Sequence, residues 1–343
     1  MVGYNGRAYL CRSLATVLDQ DMPAGSYEVI YVDNASTDDS VTLVERDFPS
    51  VGIVRMPRNL GFSGAFNWAA EHIAKGRYLV VTPQDVIVHR RWLAELISAA
   101  RSDDRVLKCV TNTIPPTSRD YARKDVVGTP TTVTRTTLSR LGYVRVTTRP
   151  FSPERRPTLA SAGTSALMKR DVARRSGHFY DPSLAHYAGD MEAGLRTFVV
   201  GGVTLHVPTA IVYHIGDKQQ FLRDHRLLLL YAKSTRDTVL AYYKNMTTRE
   251  FALFAPLLTL GLALKPLELR APLIVRLLLT LVALPLAPLA FAAALLRLDA
   301  VRPAHQALLR RRRIGSHDLL RAILAGAAAP PTRTARAGGA AVR

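Results

Sequence analysis

Glu28-Val29-Ile30-Tyr31-Val32-Asp33-Asn34-Ala35-Ser36-Thr37-Asp38-Asp39-Ser40 is the stretch that decides how this chain is read. An apolar run rich in β-branched residues stops abruptly at small polar ones, and the amphipathic segment from Val41 to Phe48 follows. That pattern is strand, loop and helix. In an open α/β sheet, carboxylates at the carboxyl end of such a strand face the ligand crevice, which makes Asp33 a candidate binding residue. The unit then recurs. Val51 to Arg55 is a second strand and leads into Arg58-Asn59-Leu60-Gly61-Phe62-Ser63-Gly64-Ala65-Phe66-Asn67, where glycines let backbone approach a phosphate or sugar closely.

Working outward, Leu10, Leu14, Val17 and Leu18 lie at helical spacing within Arg7 to Gln20, and Ala65 to Ile73 and Arg90 to Ala100 read likewise. With strands at Val29 to Val32, Gly52 to Met56 and Tyr78 to Thr82, the alternation predicts a mostly parallel sheet with helices on both faces. Residues 112–157, rich in Thr, Pro and Arg, break the rhythm and read as an irregular insert with a hairpin around 131–148. Regular elements resume with a strand at Ala160 to Lys169, a helix over about 190–200, short strands at 203–207 and 211–213, and a helix from Arg226 to Lys244.

Beyond Glu250 the composition changes. Phe251 to Leu264 is apolar but short, and Leu277 to Leu296 is about the 20 residues that cross a bilayer as a helix. The expected organisation is one α/β domain over 1–245, a membrane-associated helical hairpin over 246–300 with both flanks cytoplasmic, and a basic, partly disordered tail over 301–343. In a soluble domain the net charge of +19 would suggest nucleic acid. Much of the excess, however, flanks the apolar segments, at Arg302 and Arg310 to Arg313, where anionic lipid is the natural counter-charge. Zinc-finger spacing, RNA-binding motifs and basic–aromatic interleaving are all missing, so nucleic acid is set aside. Cys11 and Cys109 have no neighbour that would make a metal or redox pair. The chain enters Tyr4-Asn5-Gly6-Arg7 without an apolar leader, so the catalytic part is expected in the cytoplasm, at the cell membrane.

Taken in order, these segments resemble family 2 glycosyltransferases of the GT-A type, over roughly Val2 to Lys244. The resemblance implies an inverting transferase. Asp33 would accept the N3–H of a uracil or thymine base, with Tyr4 and Asn5 lining the other side of the base. Asn59, Gly61, Gly64 and Asn67 would form a second donor-binding element. In Thr82-Pro83-Gln84-Asp85 the family's acidic motif is reduced to Gln84-Asp85, with Asp85 as ligand of a divalent cation, Mg²⁺ or Mn²⁺. That form is similar to the one in bacterial rhamnosyltransferases of the family, which implies dTDP-rhamnose as donor, with UDP-sugars next. Gly189-Asp190-Met191-Glu192 matches the segment that carries the catalytic base, so Asp190, supported by Glu192, is the expected catalytic pair. Gly189 stands where the family has a Glu. His214 ends the strand that closes the domain and would complete the metal site. A lipid-linked or cell-envelope glycan is the implied acceptor. The competing reading is a non-catalytic GT-A scaffold or sugar-binding subunit at the membrane.

Each of these residues also has a plainer reading. Ser36, Thr37 or Asp38 could cap the helix after the Asp33 loop. Asp190 and Glu192 at a helix start could simply complement its dipole.

Overall fold

The computed structural model describes residues 1–114, 130–160, 165–184, 188–215, 227–269 and 271–326. Strands β1 (Val2–Gly3), β2 (Ile30–Asp33) and β3 (Gly52–Arg55) pair in parallel in the order β1-β2-β3. Between them lie α1 (Arg7–Leu18), α2 (Ser40–Asp47) and α3 (Gly61–His72). On the other side of β1, Val2 bridges Pro83 in parallel and donates its N–H to the Thr82 carbonyl at 3.1 Å. That link joins the first three strands to the rest of the sheet through β4 (Tyr78–Val81).

The chain continues through β5 (Val86–Val88), α4 (Trp92–Arg101) and β6 (Val106–Ile114) to a hairpin of β7 (Thr132–Leu138) and β8 (Val144–Pro150). Next come β9 (Arg156–Pro157), β10 (Ala166–Lys169), α5 (Asp171–Ser176), α6 (Gly189–Val199) and β11 (Val203–His214). The second part of the sheet runs β4-β10-β6-β11-β5. Here the mostly parallel expectation holds only in part, because β10 is antiparallel to both β4 and β6, and β5 is antiparallel to β11. The cause is connectivity. After β6 the chain comes back into the sheet at its carboxyl edge, where Ala166 faces Val110, so β10 must run backward. Residues 115–129 of the expected insert lie outside the described residues.

An apolar cavity of about 280 Å³ lies between Ile30, Val32, Leu79 and Val80. This cavity lies toward the amino ends of the strands, away from the polar loops.

Among the described residues five α-helices follow: α7 (Leu227–Asn245), α8 (Thr248–Leu264), α9 (Leu273–Leu295), α10 (Leu298–Arg311) and α11 (Ser316–Ala325). They correct the expected division of the chain, since a single cluster of buried apolar side chains runs from Val2 in β1 to Ile323 in α11. Within the expected basic tail, residues 301–326 are helical and packed. Val301 and Leu308 of α10, and Leu319, Ala322 and Ile323 of α11, are buried at helical spacing, and residues 327–343 lie outside the described part. Arg312 spans the fold to Glu250 at 2.6 Å, and the Arg313 N–H reaches the Val199 carbonyl at 2.9 Å. Burial by itself would raise the Glu250 carboxyl, but hydrogen bonds from Arg312, Ser316 and the Thr247 backbone outweigh it and hold the pKa at about 2.

Candidate active site

β1 and β2 end level because Gly3 pairs with Asp33, so the loops that follow them meet. Asn5 and Ala35 both adopt left-handed backbone, with φ of 48° and 65°, a conformation uncommon outside glycine. Mutual bonds hold it: the Asn5 N–H donates to Ser36 Oγ at 2.9 Å and the Thr37 N–H donates to Asn5 Oδ1 at 2.8 Å. Asn5 thus shapes the loop, while the Tyr4 side chain is exposed beside it. Asp33 is 4% exposed. Its Oδ2 accepts the Ser36 N–H at 3.1 Å, and its Oδ1 is buried without a hydrogen-bond partner among the described residues. An unpaired buried acceptor is expensive, and an N–H from a bound base would satisfy it. Burial and then the charge of Asp33 raise the neighbouring Tyr31 hydroxyl to about 12.

The second loop is tied to the first by Asn34, a residue the sequence did not single out. Asn34 Nδ2 donates to Asn59 Oδ1 at 2.9 Å, Asn34 Oδ1 accepts the Leu60 N–H at 2.9 Å, and Asn59 Oδ1 also takes the Gly61 N–H at 2.8 Å. Gly61 opens α3 at φ 70°, a left-handed turn into open space. At Gly64 an added Cβ would stand 3.0 Å from the Leu60 Cβ. Gln84 differs from expectation: its amide is committed to the Tyr4 backbone, accepting the N–H at 3.0 Å and donating to the carbonyl at 2.8 Å. It props the first loop rather than facing the crevice. A Cβ at Gly6 would lie 1.8 Å from Gln84 Oε1 and would displace that amide from its place.

Asp85 and His214 lie side by side. The antiparallel register of β11 on β5 sets His214 opposite Val86, and the Asp85 carbonyl accepts the Ile215 N–H at 2.9 Å. His214 Nε2 lies 3.0 Å from Asp85 Oδ2, with both side chains 23% exposed. That separation suits a hydrogen bond. It is also the spacing of two adjacent ligands on an octahedral ion with bonds of about 2.1 Å, so this donor set fits a divalent cation. His178, Asp181 and Glu192 form another cluster, their ligand atoms within 4.8 Å of one another. It fits a cation poorly: Asp181 is paired with Lys244 and Glu192 with Arg196. Burial, followed by the charges of Arg196, Lys244 and Arg311, pushes His178 down to about 2.

Across the crevice Asp190 sits half-buried in the first turn of α6. Burial and then the Asp190 charge raise the Tyr180 hydroxyl well above its usual range. Lys108, on β6, is fully buried with its Nζ 5.1 Å from the centre of the Tyr180 ring. Burial lowers its pKa to about 8, with Asp190 the leading opposing influence. Sequence reasoning missed both residues. The available signal was a lone cation in the apolar run Val106 to Val110.

Two expectations are corrected here. Glu192 is 0% exposed and points into the core, where Arg196 Nε meets its two oxygens at 2.9 and 3.1 Å. The rest of that guanidinium clamps the 176–179 turn through Ser176 Oγ and the His178 and Phe179 carbonyls. Glu192 is therefore half of a buried ion pair and does not line the crevice. Asn67 bridges α3 to the Tyr180 backbone, donating to its carbonyl at 2.6 Å and accepting its N–H at 3.0 Å. Its amide positions Tyr180 instead of reaching a donor. The first turns of α3 and α6 also meet: a Cβ added to Gly189 would stand 3.8 Å from Ser63 Oγ.

Residues 1–176 match the family described as Glycosyl transferase family 2. A poly(ribitol-phosphate) beta-glucosyltransferase of Bacillus spizizenii is 32% identical over 85 residues, covering 24% of this chain and 13% of the relative, so the match spans about an eighth of that protein. Among solved structures, a Pyrobaculum calidifontis mannosyltransferase in complex with GDP-Man and Mn²⁺ superposes with a TM-score of 0.54 at 20% identity, covering 90% of this chain and 84% of that one. S. aureus TarS 1-349 in complex with UDP gives 0.52 at 15% identity, with 95% and 89% covered. GalNAc-T7 with UDP, GalNAc and Mn²⁺ gives 0.54 at 17% identity, covering 74% of this chain and 50% of that one. At these identities the likeness is one of fold.

Proposed function

This chain belongs to glycosyltransferase family 2, and from that premise we propose that it is an inverting transferase carrying a sugar from a nucleoside diphosphate donor to a hydroxyl of a lipid-linked or cell-envelope glycan. The observation that carries this reading is the meeting of α3 and α6. Gly189 abuts Ser63, so Asp190 opens its helix beside the loop assigned to the donor.

In this reading the unpaired Oδ1 of Asp33 takes an N–H of the donor base. With the Leu60 and Gly61 amides bonded to Asn34 and Asn59, the first-turn amides of α3 after Gly61 approach the diphosphate, and the positive end of that helix favours its charge. Asp190 accepts the proton of the attacking hydroxyl as the anomeric bond to the diphosphate breaks from the opposite face. Tyr180 and Lys108 lie near that carboxylate, and the Lys108 charge favours its ionised form. A divalent cation at Asp85 and His214 would offset charge on the departing diphosphate. Because Gln84 is engaged with Tyr4, the Gln84-Asp85 pair has no free amide with which to select a sugar. The rhamnose reading therefore rests on resemblance alone, and dTDP-rhamnose is tested beside UDP- and GDP-sugars. The likeness to a poly(ribitol-phosphate) glucosyltransferase supports a cell-envelope polymer as the acceptor class.

The test is donor hydrolysis by the whole protein across that panel, with Mn²⁺, with Mg²⁺ and with chelator. One donor should be cleaved in a metal-dependent way, and Asp33→Ala should weaken its binding about ten- to a hundredfold, the loss of one charged hydrogen bond. If no donor binds or is cleaved with metal present, the non-catalytic scaffold is the better description.

A further inference from the structure

α9 is two-faced in an unusual sense. Thr280, Ala283, Ala287, Ala290 and Ala294 are buried at alternating spacings of three and four, a stripe of small residues that lets the helix lie close against α7 and α8. The opposite face is aliphatic and bare: Ile274 is 68% exposed, Leu281 64%, Leu289 66% and Leu296 86%, and Leu253 of the neighbouring α8 is 70% exposed. So large an exposed apolar surface is uncommon on a soluble monomer and marks an interaction face.

The path of the chain decides how that face is used. α9 is 23 residues long, enough to cross a bilayer, yet both of its ends are fixed to the catalytic body. Its start packs on the turn Lys265–Glu268, and beyond its end α10 lies along α7 with His305 stacked on Tyr243 at 4.5 Å. Arg312 then closes onto Glu250. A crossing would drag α7, with Arg236, Asp237 and Lys244, into hydrocarbon.

We propose that α9 is an in-plane membrane anchor: its leucine face lies in one leaflet of an anionic bilayer, the alanine stripe stays on the protein, and no segment crosses. The occupant is argued from charge. Arg297 and Arg302 are exposed just beyond the end of the helix, with Asp299 paired to Arg302, whereas Arg311 and Arg313 sit farther along, against Gly177 and Gly201 of the α/β part. A second copy docked on this face would bring those cations together, whereas anionic headgroups complement them. This inference goes beyond the catalytic proposal and does not depend on Asp190 or on the donor.

The experiment is flotation of the full-length protein with vesicles of phosphatidylcholine, with and without phosphatidylglycerol, followed by protease digestion of the bound protein. The protein should float with the anionic vesicles and leave no protected fragment. Leu278→Glu combined with Leu281→Glu should cut bound protein at least tenfold without changing its thermal unfolding, both side chains being exposed in the fold. Arg297→Gln should weaken binding to anionic vesicles about fivefold and leave binding to neutral ones unchanged. A protected fragment containing 273–295 would overturn the proposal in favour of a crossing helix. A detergent-free dimer that does not float, and that the double variant makes monomeric, would overturn it in favour of self-association.

Discussion

On the β1–β4 side of the crevice, the loops are held by short uncharged side chains bonding to backbone: Asn5 to Thr37, Asn34 to Leu60, Gln84 to Tyr4. On the α6 side the work falls to buried charges, with Arg196 on Glu192, Lys244 on Asp181, and Lys108 near Asp190. The first wall is a set of local loop bonds of about 1 kcal/mol each, and it leaves one oxygen of Asp33 unused. The second is a network whose members depend on one another, where removing one partner strands a charge in the core. Polar residues in the donor wall can therefore be lost one at a time, while those behind Asp190 cannot.

The largest expected effect lies at the crevice face of the second wall. Asp190→Asn should leave donor affinity nearly intact and lower transfer by about two to four orders of magnitude, measured as single-turnover rate at saturating donor; normal turnover would remove Asp190 as the base. Behind it, Arg196→Met leaves Glu192 unpaired and should cost about 3–5 kcal/mol of stability, read by denaturant unfolding. A loss of under 1 kcal/mol would show that the two walls are held alike.

Lys108→Met is a subtler probe. Its ammonium favours the ionised form of Asp190, so its loss should move the acid limb of the transfer rate to higher pH. Stability adds an independent readout. The folded pKa of about 8 lies below the unfolded value of about 10.4, so the unfolded chain holds more protons between them and stability rises with pH across that window. Lys108→Met should flatten the rise. Smallest of all, Gly189→Ala meets only ordinary contacts, the nearest at 3.8 Å, and should stabilise by about 0.4–1 kcal/mol with transfer unchanged. A collapse of activity would mean that the junction of α3 and α6 needs bare backbone.

These two walls were unequally legible in the sequence. Asp33, Asp85 and His214 could be placed because strand ends are sharp signals, and a carboxylate at the carboxyl end of a parallel strand has one direction to face. Glu192 could not, since the i,i+4 spacing to Arg196 is visible but the burial of that face of α6 depends on α7 and on the 176–179 turn. Asn67 and Gln84 misled for a related reason: an amide bonds backbone as readily as ligand, and only the fold shows which backbone arrives. Among the elements, β10 was read as a strand, but its direction depends on where the insert re-enters the sheet. The helical spacing of Val301 and Leu308 in α10, and of Leu319, Ala322 and Ile323 in α11, was hidden under arginine-rich composition.

The cluster that runs from Val2 to Ile323 also sets an order of events during synthesis. Domains usually fold as units while the amino-terminal part emerges first, but the core behind Asp190 remains open until α10 and α11 have left the ribosome, and they are made after the leucine-faced α9. The nascent chain thus presents its most aggregation-prone helix before its enzyme is complete. A surface that captures α9 at that moment would act as a folding aid as well as an address.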